Sequence, residues 1–172
     1  QLKPIMNSCD TNTTLHGTML NVDNIGVLLI GKAGSGKTEI ALEMLTRRHR
    51  LISDDAVKFE RTVDNKLLAH KANTQAHQLH LRSIGVIDAP QLFDNALFCL
   101  NSLVDLVIQL TSAPDETASL FPPKQAKTIL GIDLPMFSLY CERHCPLSII
   151  LETLVKQFKL THQPSLQQRI AS

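Results

Sequence analysis

The sequence has no tryptophan, a single tyrosine and no apolar run that approaches the roughly 18 residues a membrane span requires. Its first residues, QLKPIMNSCDTNTT, also lack the apolar stretch of a secretory signal peptide. These absences argue against the membrane and secreted classes of protein. They predict a soluble, cytoplasmic chain without a membrane partner.

The sequence also has no large excess of positive or negative charge, because 17 Lys and Arg residues nearly balance 16 Asp and Glu residues and leave a formal net charge of +1. No field over the whole molecule would attract nucleic acid or an anionic membrane. The sequence therefore predicts no nucleic-acid partner, and any anion site must be built locally.

Cysteine is too scarce for a disulfide framework, with residues at positions 9, 99, 141 and 145. Cys141, His144 and Cys145 could in principle hold a metal ion. A structural zinc site, however, usually takes four ligands in paired spacing, and the sequence contains no second pair. Reduced thiols are the favoured interpretation.

What remains is the composition of one soluble domain: 172 residues, 44% hydrophobic and 19% charged. A nearly all-apolar strand at 103–110 is expected at the centre of a sheet. The whole pattern indicates an α/β fold. The other expected strands are a hairpin of 18–22 and 27–30, a short strand at 51–52, a hairpin of 57–63 and 66–69, and a strand at 79–88. Helices are expected from Thr38 and over 148–160. The remaining segments are an irregular connection over 112–124 and a fraying tail after Thr161.

A phosphate-binding motif follows the aliphatic run that ends at Ile30. The residues are Gly31, Lys32, Ala33, Gly34, Ser35, Gly36, Lys37 and Thr38, which match G-x-x-x-x-G-K-[ST] at every fixed position. The glycines let backbone amides turn around phosphate oxygens, and a helix N-terminus adds positive potential. Lys37 would neutralise the β and γ phosphates, and the Thr38 hydroxyl would bind Mg²⁺. We therefore expect a nucleotide-binding phosphotransfer domain.

Three further residues are candidates for the chemistry. Asp54 and Asp55 follow the short strand after the first helix, where strand order would bring them beside the phosphate loop. Phosphoryl transfer to a hydroxyl needs a carboxylate to orient or deprotonate the nucleophile and another to assist the metal. His16, taken alone, is an ordinary surface or core histidine.

Basic residues close the first helix at Arg47, Arg48, His49 and Arg50. Cations suit the negative end of a helix dipole, so a solvated helix terminus is the favoured interpretation. A contact with a phosphorylated partner is the alternative.

Seven stretches along the chain form a recognisable set: LHG at 15–17, GVLLIGKAGSGKTEIALEML at 26–45, RRHRLISDD at 47–55, LRSIGVIDAPQLF at 81–93, LVIQL at 106–110, ILGIDLP at 129–135 and SIILETLVKQFKL at 148–160. Together they resemble the C-terminal catalytic domain of bacterial HPr kinase/phosphorylase. The resemblance covers nearly all of residues 14–160 and predicts that range as the catalytic domain, with 1–13 as a lead-in and 161–172 as a flexible tail. It implies a P-loop-containing mixed β-sheet with flanking helices, like phosphoenolpyruvate carboxykinase.

The resemblance also implies an activity: phosphorylation of a serine of the phosphocarrier protein HPr with ATP (or pyrophosphate) and Mg²⁺, and its reversal by phosphorolysis. Asp55 would accept the proton in phosphorylation and return it in the reverse step, and His16 would help to manage that proton. Asp54 would support the metal. Arg82 and Gly85 match the family's signature arginine and glycine. A homo-oligomer, hexameric in full-length relatives, is implied as a partner.

The sequence departs from the family at four places. His80 stands where a metal-binding glutamate is expected, so the implied metal ligands are Thr38, Asp54 and an exchanged residue at position 80. Leu120 and Phe121 align with an expected arginine. The turn CERHCP at 141–146 keeps positive charge only at Arg143. The family's separate N-terminal domain has no matching stretch.

These departures leave two alternatives to an active HPr-type kinase. One is an ATP-binding regulatory module in which phosphotransfer is impaired, because a metal ligand and a source of transition-state charge stabilisation are both missing. The other is a small-molecule kinase on the same scaffold. Phosphorolysis is the part of the implied activity that these departures affect most.

Overall fold

The computed structural model describes residues 11–72, 77–114, 121, 123, 125–140 and 146–170, without the side chains of 163–170. Among these residues, three strands precede the first helix and five described strands separate it from the second, short helix. The strands are β1 (Asn12–His16), β2 (Thr18–Val22), β3 (Ile25–Ile30), β4 (Arg50–Ser53), β5 (Ala56–Arg61), β6 (Leu67–Lys71), β7 (Gln78–Leu81), β8 (Gly85–Asp88), β9 (Asn101–Leu103), β10 (Leu106–Thr111), β11 (Gln125–Ile129) and β12 (Ile132–Tyr140); the helices are α1 (Lys37–Thr46), α2 (Ala89–Leu92) and α3 (Leu147–Ile170).

A six-stranded mixed sheet forms the centre, in the order β11-β12-β10-β3-β2-β4. β10 runs parallel to both β3 and β12, while the remaining neighbours are antiparallel. The apolar strand expected at the centre is therefore there, as β10. Because β3 and β10 are adjacent, the phosphate loop that follows β3 lies beside the end of β10.

Both faces of the central sheet are covered, which explains the continuous aliphatic run of β3. Leu29 and Ile108 pack on one face with Met44 of α1 and Leu154 of α3. Leu28 lies on the opposite face, in a second cluster whose other members include Met19, Val107, Phe59 and Leu67. The last two belong to a four-stranded antiparallel sheet, ordered β1-β5-β6-β9. The three layers are helices, central sheet and second sheet.

The predicted α/β class with a mixed sheet is confirmed, and so are the hairpins β2–β3 and β5–β6. Both larger helices lie against the same face of the sheet, because β5 and β6 cover the other. Within the described part of the chain, no helix is long and apolar enough to cross a membrane.

Two predicted strands are wrong in extent. Residues 79–88 form the hairpin β7–β8 instead of one strand, since the chain turns at 82–84 and Gly85 adopts a φ of 85°. Residues 103–110 divide into the end of β9 and β10, which belong to different sheets. α3 also continues to Ile170, beyond the 148–160 that apolar spacing indicated. Cys141, Arg143, His144, Cys145 and Leu120 lie outside the described residues.

Candidate functional site

The phosphate loop, Gly31 to Thr38, joins β3 to the start of α1. Gly34 and Gly36 have φ angles of 79° and 95°, a left-handed conformation that side chains with a Cβ rarely adopt. Lys37 is only 6% exposed, and its Nζ donates to the carbonyl oxygens of Gly31 at 2.9 Å and Lys32 at 3.0 Å. The loop therefore surrounds the Lys37 ammonium group, which lies where it could contact a phosphate bound by the loop.

Asp54 comes directly after β4 and is fixed between the sheet and the loop. Its Oδ1 accepts a hydrogen bond from Thr18 Oγ1 at 2.6 Å, and its Oδ2 accepts one from Thr38 Oγ1 at 2.9 Å. Thr18 begins β2 and Thr38 lies in the first turn of α1. Each carboxylate oxygen is thus bound by one hydroxyl group.

Asp55 has a different environment from its neighbour. Its φ of 72° is left-handed, which aspartate tolerates better than most residues, and its side chain is 82% exposed. Nδ1 of His16, at the end of β1, lies 3.2 Å from Asp55 Oδ1. The turn is tied together because Ser53 Oγ donates to Ala56 O at 2.6 Å. One acid faces the loop threonine, and the other is open to solvent beside a histidine.

A cavity of about 160 Å³ brings these groups together. The predicted catalytic residues His16, Lys37 and Asp55 line it, as do the predicted metal ligands. Arg82 lies over the phosphate loop: one guanidinium nitrogen is 1.9 Å from the point that a Cβ on Gly34 would occupy. The full lining is His16, Ala33, Gly34, Gly36, Lys37, Thr38, Glu39, Asp54, Asp55, His80 and Arg82.

The rest of the loop faces a second, larger cavity of about 790 Å³. Ala33 and Gly34 line both cavities, so the two adjoin across the loop. The second is also lined by Gly31, Lys32, Ser35 and residues 109–112 at the end of β10. The predicted binding residues therefore separate into Gly36, Lys37 and Thr38 on the side of the acid pair and Gly31, Lys32 and Ser35 on the side of β10.

The donor set fits Mg²⁺ as a partner of bound phosphate. Thr38 and Asp54 offer the oxygen ligands that Mg²⁺ prefers, and this ion commonly takes one or two protein ligands together with substrate phosphates. In the described ranges no group of three or more His, Cys, Asp and Glu residues could hold a metal ion alone. His80, an exposed residue of β7, lines the same cavity.

Sequence reasoning missed Thr18 and did not foresee where Arg82 lies. The available signal for Thr18 was a hydroxyl residue at the start of an otherwise mostly apolar strand, TMLNV, where its side chain is fully buried. Buried hydroxyl groups need a partner, so that position pointed to a polar contact. Glu39 was also missed as part of the cavity wall.

The basic cluster after α1 pairs with α3. Arg47 Nε donates to Glu152 Oε1 at 2.6 Å, and His49 Nε2 lies 2.7 Å from the same oxygen. The hydrogen bonds from Arg47, followed by that with His49, lower the pKa of Glu152 to about 2. These contacts join two helices and support the structural interpretation of the cluster over a phosphorylated partner.

Comparisons with known proteins agree with this geometry. The family model for the HPr serine kinase C-terminal domain matches residues 7–169. An HPr kinase/phosphorylase of Prosthecochloris aestuarii is 32% identical over 163 residues, covering 90% of this chain and 48% of that protein. One from Chlorobaculum tepidum is 34% identical over 150 residues, covering 86% of this chain and 44% of that protein. This chain spans about half the length of these curated relatives.

A solved structure gives the same result. The HPr(Ser) kinase/phosphatase of Coxiella burnetii superimposes with a TM-score of 0.81 at 28% identity, covering 91% of this chain and 96% of that one. The chain belongs to the HPr serine kinase C-terminal domain family.

Proposed function

We propose that this chain transfers the γ-phosphoryl group of ATP to a serine of the phosphocarrier protein HPr, or of a closely related protein, and that it catalyses the reverse phosphorolysis. The observation that carries the proposal is the single cavity shared by a phosphate loop, a hydroxyl-bound acid and an open acid beside a histidine. Family membership and the names of the relatives support the same reading.

The two acids suit two different tasks. Asp55, open to solvent, would accept the proton as the serine oxygen bonds to the γ phosphorus and the bond to the β-phosphate oxygen breaks. His16, 3.2 Å away, would hold that carboxylate and help to remove its proton. Asp54, bound by Thr18 and Thr38, would hold the threonine hydroxyl toward the metal. In phosphorolysis Asp55 would return the proton to the leaving serine oxygen.

The exposure of the proposed base favours a protein substrate over a small molecule. Side chains of Asp55 and His16 are 82% and 53% exposed, so a serine on a protein surface can approach them without entering a deep pocket. A small-molecule kinase usually encloses its substrate to exclude water from the transfer.

Two cationic side chains on different elements would neutralise the negative charge of the phosphates. Lys37 supplies one cation from within the loop, and Arg82 supplies another from β7–β8 above Gly34. Arginine is suited to this task because its planar guanidinium binds phosphate oxygens in a bidentate manner. We propose that Arg82 provides part of the transition-state stabilisation that the family's arginine, aligned with Leu120 and Phe121, would have given.

The site requires Mg²⁺ in this proposal. The ion, bound through Thr38 and phosphate oxygens, would supply charge neutralisation of the β and γ phosphates. Asp54 would contribute by orienting Thr38, and His80, which lines the same cavity, would be the third metal ligand.

The test is incubation of the purified chain with labelled ATP, Mg²⁺ and HPr, with phosphoserine mapped by mass spectrometry. Expected is labelled serine on HPr that depends on Lys37 and disappears on addition of inorganic phosphate, with pyrophosphate as the product. Transfer to a small metabolite in a cell extract, with none to HPr, would support the small-molecule kinase instead. ATP binding without transfer to any acceptor would support the regulatory module, which His80 and the missing arginine favour.

A further inference from the structure

We propose that Thr18 is a positioning residue, which holds the carboxylate of Asp54 in the orientation needed to bind metal and nucleotide together. This inference rests on the proposed function, since it concerns the metal side of the same cavity. Neither the motif nor the acid pair assigns any role to this threonine.

The contact is short, and its donor is buried. Thr18 is 0% exposed, and its Oγ1 lies 2.6 Å from Oδ1 of Asp54. An ionised carboxylate only accepts hydrogen bonds, so the hydroxyl proton must point from Thr18 to Asp54. A hydrogen bond with one charged partner is about twice as strong as a neutral one.

A β-bulge creates this pairing. Along β2 and β4, Asn21 pairs with Arg50 and Leu20 with Leu51, but Met19 pairs with Ser53, so one residue of β4 is skipped. In the shifted register the position opposite Thr18 is 54. Bulges redirect side chains in this way next to functional sites. Without the shift, the residue opposite Thr18 would be Ser53, not Asp54.

Three consecutive residues hold the two acids. His16 contacts the side chain of Asp55, Gly17 N donates to Asp55 O at 3.1 Å, and Thr18 binds Asp54. Gly17 is also needed for the close approach of this segment to β3, because a Cβ there would lie 2.8 Å from the backbone oxygen of Leu29. The segment from His16 to Thr18 therefore fixes both members of the pair relative to β3 and the phosphate loop.

Thr18 acts through Asp54 and then Thr38. The terminal torsion of an aspartate is broad, so a carboxylate bound at one oxygen only can rotate. The bond from Thr18 removes that freedom and keeps Oδ2 2.9 Å from Thr38 Oγ1. Groups behind a metal ligand typically change metal affinity by about 10- to 100-fold when they are removed.

The test compares Thr18→Val, which keeps the shape and removes the hydroxyl, with Thr18→Ser, which keeps the hydroxyl. ATP affinity is measured by calorimetry in EDTA and in Mg²⁺. We expect Thr18→Val to reduce the gain in ATP affinity produced by Mg²⁺ about tenfold, with metal-free ATP affinity retained, and Thr18→Ser to restore the gain. In an Asp54→Asn background, Thr18→Val should cause little further loss.

Urea unfolding of the parent, Thr18→Val, Asp54→Asn and the double variant separates this role from a structural one. The inference would be overturned if the effects of the two substitutions on the free energy of unfolding were coupled while Mg²⁺ raised the ATP affinity of Thr18→Val as much as that of the parent. The contact would then be structural only, and the proposed function would be unaffected. An equal loss of ATP affinity with and without Mg²⁺ would also overturn the inference. A parent chain that binds no ATP would overturn the proposed function itself, and the metal role of Thr18 with it.

Discussion

Nδ1 of His16 lies 3.2 Å from Oδ1 of Asp55, and the two side chains meet at the open side of the cavity. His16 ends β1 and Asp55 follows β4, so strands of two different sheets supply the pair. Asp54, one residue earlier, is bound by two hydroxyl groups instead. Adjacent acids in the sequence therefore have separate surroundings, which is the basis for separate roles.

Asp55→Asn should reduce phosphotransfer to HPr by at least about 100-fold while ATP affinity is retained, because an amide keeps the shape but cannot accept the serine proton. Rates with labelled ATP and calorimetry check the two parts. Asp54→Asn is the matched comparison and should chiefly raise the Mg²⁺ concentration required. If Asp54→Asn is more damaging at saturating Mg²⁺, the roles of the two acids are reversed.

Lys37→Ala should weaken ATP binding by roughly 10- to 100-fold, since hydrogen bonds to a charged group are each worth about 1.5–3 kcal/mol. The fold should persist, as judged by circular dichroism and the unfolding midpoint. Lys156→Ala is the control: Lys156 is exposed on α3 and lines neither cavity, so its removal takes away the same charge outside the site. Equal calorimetric affinities for Lys37→Ala and the parent would remove the phosphate-loop assignment.

Glu152→Gln should lower the free energy of unfolding at pH 7 by about 1 kcal/mol, because the hydrogen bonds from the solvent-screened Arg47 and from His49 become weaker. The pKa of Glu152 is depressed to about 2 in the folded protein, against 4.5 ordinarily. Its contribution is therefore fully present above about pH 5 and is lost as pH falls toward 2. Urea unfolding of parent and variant between pH 7 and pH 3 measures this difference.

The difference between parent and Glu152→Gln should shrink to roughly half or less at pH 3. Glu43→Gln is a suitable control, since Glu43 is exposed on α1 and influences Arg47 only through weak charge interaction. A stability difference that stays constant down to pH 3 would contradict the ion-pair explanation.

The phosphate loop and the acid pair could be predicted because each is defined by residues that are neighbours in the sequence. A continuous aliphatic strand, a glycine-rich turn and a helix start are read from neighbouring residues, and Asp54 and Asp55 follow the next strand. The central place of β10 was also readable, since a strand buried on both faces is apolar throughout.

Contacts that depend on strand register could not be predicted from the sequence. Thr18 contacts Asp54 because the register between β2 and β4 shifts by one residue at a bulge. The residues RLISDD contain no pattern that predicts this bulge. Residues 79–88 were predicted as one strand because LHLRSIGVID contains no strong turn pair, yet the chain reverses and leaves Ile84 and Val86 exposed. The placement of Arg82 above Gly34 follows from that reversal.

His80→Glu should raise phosphotransfer supported by Mg²⁺ and reduce the relative advantage of Mn²⁺. Mg²⁺ prefers oxygen ligands and dehydrates reluctantly, whereas Mn²⁺ accepts an imidazole nitrogen more readily. His80 lies in the cavity wall with Thr38 and Asp54, so a carboxylate there would add both charge and a preferred donor. The measurement is the transfer rate against Mg²⁺ and Mn²⁺ concentration for parent and variant.

Added negative charge near the site could itself attract a divalent ion, so the control must introduce the same charge without a ligand. Gln78→Glu does this: Gln78 is exposed two residues earlier on β7, on the same face of the strand as His80, and does not line the cavity. A general charge effect would shift the Mg²⁺ curves of both variants alike. A ligand at position 80 would shift only that of His80→Glu. Superimposable Mg²⁺ curves for His80→Glu and the parent would mean that position 80 is not a metal ligand and that His80 simply faces solvent.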